Sequence, residues 1–249
     1  MLDSPTIEKL KEMKLKVMAQ MLLEPDISLS ELSFEDRFSL MVDAQWLARR
    51  NARIKRLIRD AGFAIDACIE DIRYHQDRTI DKKTVNTLAA CTYIEKRLNA
   101  AVTGKTGSGK SYIICALGNA ACRKLYRVKY YRIPELLLEI EDARASGMYL
   151  KFMANLGKAK LLILDDIGLK SYNTQESRDI LEIAESRYNR SSTILSAQIE
   201  HSKWYDLFAD PTIADAIMDR VIHNAYILPL DSKKSMRQVM AEDTKEDLN

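Results

Sequence analysis

The stretch Gly104-Lys105-Thr106-Gly107-Ser108-Gly109-Lys110-Ser111 constrains this chain more than any other. It reads G-x-x-x-x-G-K-[ST], a loop whose glycines let the backbone curl so that successive N–H groups point inward at a polyphosphate. The apolar run Ala100-Ala101-Val102 precedes it, and Tyr112-Ile113-Ile114-Cys115-Ala116-Leu117 follows with no breaker before Gly118. That order predicts strand, loop and helix, and the helix adds its positive amino end to the anion site. Lys110 is then expected to reach the β- and γ-phosphates of a nucleotide, and the Ser111 hydroxyl to ligate Mg²⁺. The expected ATP-binding set is Gly104, Lys105, Thr106, Gly107, Ser108, Gly109, Lys110, Ser111 and Tyr112. The plain alternative is a glycine-rich turn that fits the pattern by chance.

A second feature weighs against chance. Leu161-Leu162-Ile163-Leu164-Asp165-Asp166 is a continuous apolar run ending in two carboxylates. Such a run reads as a buried parallel strand, with its acids at the carboxyl end where ligands of open α/β sheets bind. Asp165 is expected to hold Mg²⁺ through water, and Asp166 to orient or deprotonate the attacking water. Alone, the run would read as a core strand entering an acidic turn. Together the two motifs predict a P-loop nucleoside triphosphatase.

The 249 residues give room for one large domain, or an ordinary domain with a small one. A net charge of +2 carries no message as a sum, so any nucleic-acid signal must lie in how charge is distributed. Cys68, Cys91, Cys115 and Cys122 lack metal or disulfide spacing and sit in helix-like text. They read as reduced thiols of a cytoplasmic protein. Neither a signal peptide nor a membrane-spanning apolar stretch is evident, so no membrane partner is expected.

Residues 1–67 read as a small all-helical domain, with Leu10, Met13, Val17 and Met21 at helical spacing and Ser33 as an N-cap. Between Arg49 and Arg59 there are six Lys/Arg and no acid. Wound at about 100° per residue, Arg49, Arg53 and Arg56 share one face, with Arg50 beside them. Leu47, Ile54, Ile58 and Ala61 lie on another face, expected to fix the helix. A basic face of this kind suits the phosphate backbone of DNA, with a merely solvated face as the alternative. Gly62 and the text at 67–72 read as a link, followed by a helix over 79–97. Further on, strands at 128–132 and 192–198 alternate with helices starting near Pro134 and Thr174, which predicts a parallel sheet with crossovers. The expected division is 1–67 for DNA binding and oligomerisation, 68–240 for the ATPase core, and 241–249 as a polar tail.

Ser196 and Gln198 close a strand beside the Asp165 strand, and either can aim a polar group at a γ-phosphate and its water. Arg220 reads in two ways. It is a structural ion pair toward Asp219 or Asp215, or an arginine finger serving a neighbouring subunit.

At this point the sequence resembles the IstB family, helper ATPases of insertion-sequence transposition that are AAA+ proteins related to the DnaA initiator and the DnaC helicase loader. The resemblance spans nearly the whole chain. It rests on Leu32-Ser33-Phe34-Glu35-Asp36-Arg37, the phosphate loop, Leu162-Ile163-Leu164-Asp165-Asp166-Ile167-Gly168, Ser202-Lys203-Trp204, residues 210–225 opening on Asp210-Pro211-Thr212, and Ser235-Met236-Arg237. It implies an AAA+ core without a full helical lid, joined to a helical DNA-binding domain. It further implies a homo-oligomer that assembles on DNA with ATP, hydrolyses it, and recruits a transposase. Carried over by position, Asp165 and Asp166 form the Walker B pair, Arg220 is the finger, and Arg237 is a candidate to reach nucleotide. Lys105 departs from the family's usual proline, and Ser196-Ala197-Gln198 from Thr-Ser-Gln. The nearest rival is a helicase loader that delivers a replicative helicase. A non-motor assembly locked by ATP, with little hydrolysis, is a rival of another class.

Overall fold

The computed structural model describes residues 4–23, 32–74, 78–232 and 235–236. The chain divides into two compact units, before and after the Arg56–Leu57 bond. In the first unit, α1 (Ser4–Glu12) and α2 (Lys16–Leu23) are separate helices. The continuous stripe expected there is broken because Lys14 adopts a left-handed φ of +60°. The long helix α3 (Phe34–Ala61) opens with the Ser33 hydroxyl accepting the Asp36 N–H, and Gln45 accepts the Val17 N–H at 3.1 Å. The last turn of α3 belongs to the second unit, where Ala61 is buried.

The second unit is laid out in chain order as β1 (Arg78–Thr79), α4 (Lys82–Ala89), α5 (Thr92–Glu95), β2 (Asn99–Thr103) and α6 (Lys110–Arg123). Then come β3 (Val128–Arg132), α7 (Ile133–Ala145), α8 (Tyr149–Gly157), β4 (Leu161–Ile167) and α9 (Thr174–Arg187). It ends with β5 (Ser192–Ala197), α10 (Pro211–Val221), β6 (Ala225–Pro229) and β7 (Asp231–Ser232). The helix expected over 79–97 is two, because Cys91 takes a φ of +61° between them.

Five strands form a wholly parallel sheet in the order β3-β4-β5-β2-β6, and β1 pairs antiparallel with β7. The apolar runs follow from burial on both faces. Ala100, Val102, Leu161 and Ile163 face a core built with α4, α5 and α6. Their neighbours Ala101, Leu162 and Leu164 face the opposite core, built with α7, α8, α9 and α10. Strand β6 was not legible beforehand. It pairs with β2 from Asn99↔Ala225 to Thr103↔Pro229, and the Asn99 amide donates to the carbonyls of Arg220 and Val221 just upstream. Among the described residues no helix is long and apolar enough to cross a membrane.

Candidate nucleotide-binding site

The loop between β2 and α6 has a backbone that side chains would obstruct. A Cβ on Gly104 would lie 2.2 Å from the Leu230 carbonyl oxygen, and one on Gly107 would lie 2.4 Å from the Ser235 hydroxyl. Gly109 enters α6 with a φ of +86°. The C-terminal segment therefore braces the loop, and the Met236 N–H donates to the Gly107 carbonyl at 2.8 Å. Lys110 is 6% exposed, and its ammonium donates to the loop's own carbonyls at Gly104 (2.6 Å) and Lys105 (2.9 Å). Burial lowers its pKa, and the charges of Asp165 and Asp166 oppose that shift.

A cavity of about 750 Å³ stands over this loop. Its wall carries Thr106, Gly107, Gly109, Lys110, Ser111, Tyr112, Asp165, Asp166 and Gln198. In a regular strand, consecutive side chains point to opposite faces, so two adjacent acids cannot share a cavity. Here the β4–β5 register shifts between Leu164 and Ile167, and Asp166 adopts a left-handed φ of +62°. This bulge turns both carboxylates to the same side, as bulges beside active sites do.

Each carboxylate has a partner on β3. Asp165, 1% exposed, accepts the Tyr130 hydroxyl at 2.9 Å on one oxygen and the Asp166 N–H at 2.9 Å on the other. Burial, then the Asp165 charge, pushes the Tyr130 phenol well up, so it stays a donor. Asp166 takes a two-pronged ion pair from Arg132, at 2.9 Å from Nε and 2.8 Å from Nη2. The hydrogen bond it donates to Asp166 holds the Arg132 guanidinium's pKa up. Neither Tyr130 nor Arg132 was singled out from sequence. The only available signal was a polar end to the β3 run, and the register Arg132↔Asp165 was needed to use it.

The remaining expected residues are placed unevenly. The Thr106 hydroxyl donates to the Gln198 side-chain oxygen at 2.7 Å, tying the loop to the end of β5. Ser196 is fully buried off the cavity wall, and its hydroxyl has no hydrogen-bond partner among the described residues. Lys105 is exposed, with its side chain off the wall. The text at 67–72, expected with Gly62 to be a link, and the residues just before and after it supply a wall through Ala64, Ile65, Asp66, Asp71 and Arg73. Arg220 pairs with Glu185 at 3.1 Å, whereas Asp219 meets His223. Arg237 lies outside the described residues.

On α3, Arg49 donates weakly to the Met13 and Lys14 carbonyls, at 3.4 and 3.3 Å, closing the end of α1. Arg50 sits 5.5 Å over the Trp46 ring. Arg53 and Arg56 are exposed. Leu47, expected in the apolar face, is 51% exposed, whereas Ala61 of that face is in the core and Ile58 packs against it.

The sequence pattern of the IstB-like ATP binding protein family matches residues 8–243. The chain belongs to that family. It is similar, at 38% identity over 240 residues, to an insertion sequence ATP-binding protein of Sinorhizobium fredii, covering 96% of this chain and 98% of that one. A second family relative, the ATP-binding protein of insertion sequence IS21 from Pseudomonas aeruginosa, is 26% identical over 89% of this chain and 83% of its own. Among solved structures, AMPPCP-bound DnaA from Aquifex aeolicus matches with a TM-score of 0.57 at 18% identity, over 74% of this chain and 56% of that one. The DnaC helicase loader matches with a TM-score of 0.50 at 16% identity, over 59% and 86%. These structures share the fold, so this IstB-like chain has the P-loop AAA+ architecture.

Proposed function

We propose that the chain hydrolyses ATP with Mg²⁺ while assembled on DNA, and that it does so in the service of a transposase. The observation that carries this reading is the meeting of the phosphate loop, Lys110, Ser111 and two carboxylates on one cavity wall. The glycine cradle and a buried lysine suit a polyphosphate, and a hydroxyl beside a buried carboxylate suits Mg²⁺. Ser111 and Asp165 would hold the ion, which when bound neutralises charge on the phosphate oxygens. Lys110 then leaves the loop carbonyls for phosphate oxygens. Asp166 orients the attacking water and accepts its proton, and Gln198 holds the same water or the γ-phosphate.

Arg220, in a homo-oligomer, serves a neighbouring subunit's nucleotide once released from Glu185. DNA is taken by Arg53 and Arg56, with Arg49 and Arg50 beside them, through phosphate contacts that carry no base information. The transposase is inferred from the insertion sequence named in the relatives' descriptions. Two measurements test the proposal. ATP turnover should rise when DNA is added, and Lys110→Ala should abolish tight nucleotide binding. An unchanged nucleotide affinity in that variant would defeat the site assignment. Affinity capture should return the transposase, and recovery of a replicative helicase in its place would make the chain a loader.

A further inference from the structure

A second concentration of charge lies at the far edge of the sheet from the nucleotide cavity. Lys160 immediately precedes β4 and Ser191 immediately precedes β5, whose first residues Leu161 and Ser192 are register partners. Between the last turns of α8 and α9 a cavity of about 430 Å³ opens, lined by Lys158, Lys160, Arg190 and the hydroxyl-bearing Ser186 and Ser191. Among the described residues these three cations make no ion pair. One carboxylate, Glu182, shares the wall, and it accepts a hydrogen bond from the Tyr149 hydroxyl.

Two helix carboxyl ends would ordinarily make such a place negative. Arg187 reverses this. It is 2% exposed and donates to the carbonyls of Leu156, Ala159 and Ser192 and to the Thr193 hydroxyl, with no carboxylate partner among the described residues. Burial brings its pKa down to about 10, so the charge persists at neutral pH. Three exposed cations thus share the wall with one carboxylate, and Arg187 lies buried close by, which makes the place electropositive and suited to an anion.

The geometry points to a phosphate-binding site at the amino edge of β4 and β5 that holds the backbone of DNA. This rests on the DNA-binding reading and adds to it a contact on the ATPase unit. Lys158 and Lys160 supply point charges, Arg190 a planar fork, and Ser191 a hydroxyl donor, while the Ser186 hydroxyl donates to the Ile183 carbonyl; the set fits phosphodiester oxygens. Free phosphate has the same chemistry, and the test separates the two.

The full-length triple variant Lys158→Ala/Lys160→Ala/Arg190→Ala is compared with the parent for binding to a random-sequence duplex across a salt series. Each lost contact lowers the log–log slope by about 0.9, so three should lower it by about 2.7 and weaken binding roughly tenfold or more. Nucleotide affinity should not change, because these residues lie at the other end of the strands. Lys158→Arg/Lys160→Arg, which keeps the charge, should keep the parent slope. A parent slope in the alanine variant overturns the inference while leaving DNA binding by α3 intact. If inorganic phosphate stabilises the parent but not the alanine variant, and DNA binding is equal in both, the site is for free phosphate and the DNA assignment falls. A parent that binds no DNA at all defeats the proposed function and this site together.

Discussion

The Tyr130–Asp165 hydrogen bond makes a prediction with two separable readouts. Tyr130→Phe removes one oxygen and leaves the ring in place in the core. The acceptor is an ionisable carboxylate 1% exposed, and among the described residues only the Asp166 N–H remains to it. A hydrogen bond to a charged group is worth about 1.5–3 kcal/mol net. For a unit of this size each kcal/mol moves the melting temperature by about 2–4 °C, so the variant should melt roughly 3–12 °C lower. The phenol's pKa is raised from 10.0, chiefly by burial, so the folded state holds the proton more tightly than the unfolded chain. The stabilisation is therefore complete below about pH 10 and lost as pH rises beyond it, and the parent–variant difference should stay flat from about pH 6 to 9. If Asp165 serves Mg²⁺, loss of its supporting donor should also raise the Mg²⁺ needed for half-maximal ATP turnover by about 10–100-fold. Calorimetry and a Mg²⁺ titration of turnover measure the two effects. A variant with the parent's melting temperature and Mg²⁺ requirement would show the bond to be idle.

Asp166→Asn should bind nucleotide normally while turnover falls by about a hundredfold or more, because the proton acceptor is gone and the metal ligand remains. A joint loss of binding and turnover would make Asp166 a ligand. Arg187→Met leaves several buried oxygens without their donor, at about 1–3 kcal/mol each. A total loss of about 3–5 kcal/mol is expected by urea unfolding at constant m-value, and a loss below about 1 kcal/mol would contradict the bonding described. Arg53→Ala/Arg56→Ala should weaken DNA binding equally for all sequences and lower the salt slope by about 1.8, with nucleotide affinity unchanged. A parent slope in that variant would make this face plain solvated surface.

What was legible in the sequence was what repeats locally. The phosphate loop, the Asp165-Asp166 strand and the alternation of strands with helices are all written in contiguous text. What was not legible depends on register or on irregular backbone. Tyr130 and Arg132 matter because β3 lies beside β4, which no periodicity in 128–132 announces. Ala64, Ile65, Asp66, Asp71 and Arg73 wall the nucleotide cavity from text without any regular pattern, which read as the end of a helical domain and a connection. Strand β6 was missed because three of its five residues are only half-buried at the sheet edge and it ends in a proline. The α3 reading suffered from counting faces without neighbours. Gln45, a polar residue, is buried as Ala61 of the expected face is, and Leu47 is exposed.

The left-handed turn at Asp166 makes that position a double filter. Asp and Asn occupy such backbone readily, whereas most other L-residues pay about 1–2 kcal/mol. Substitution to asparagine is thus silent in the backbone and blind in the chemistry. Glutamate retains the acid but strains the turn and carries its carboxylate one methylene further out. Glycine relaxes the turn and offers nothing to a water molecule. In a saturation scan, soluble yield should therefore rank by tolerance of positive φ, and turnover by carboxylate reach. Aspartate is the one residue near the top of both orders.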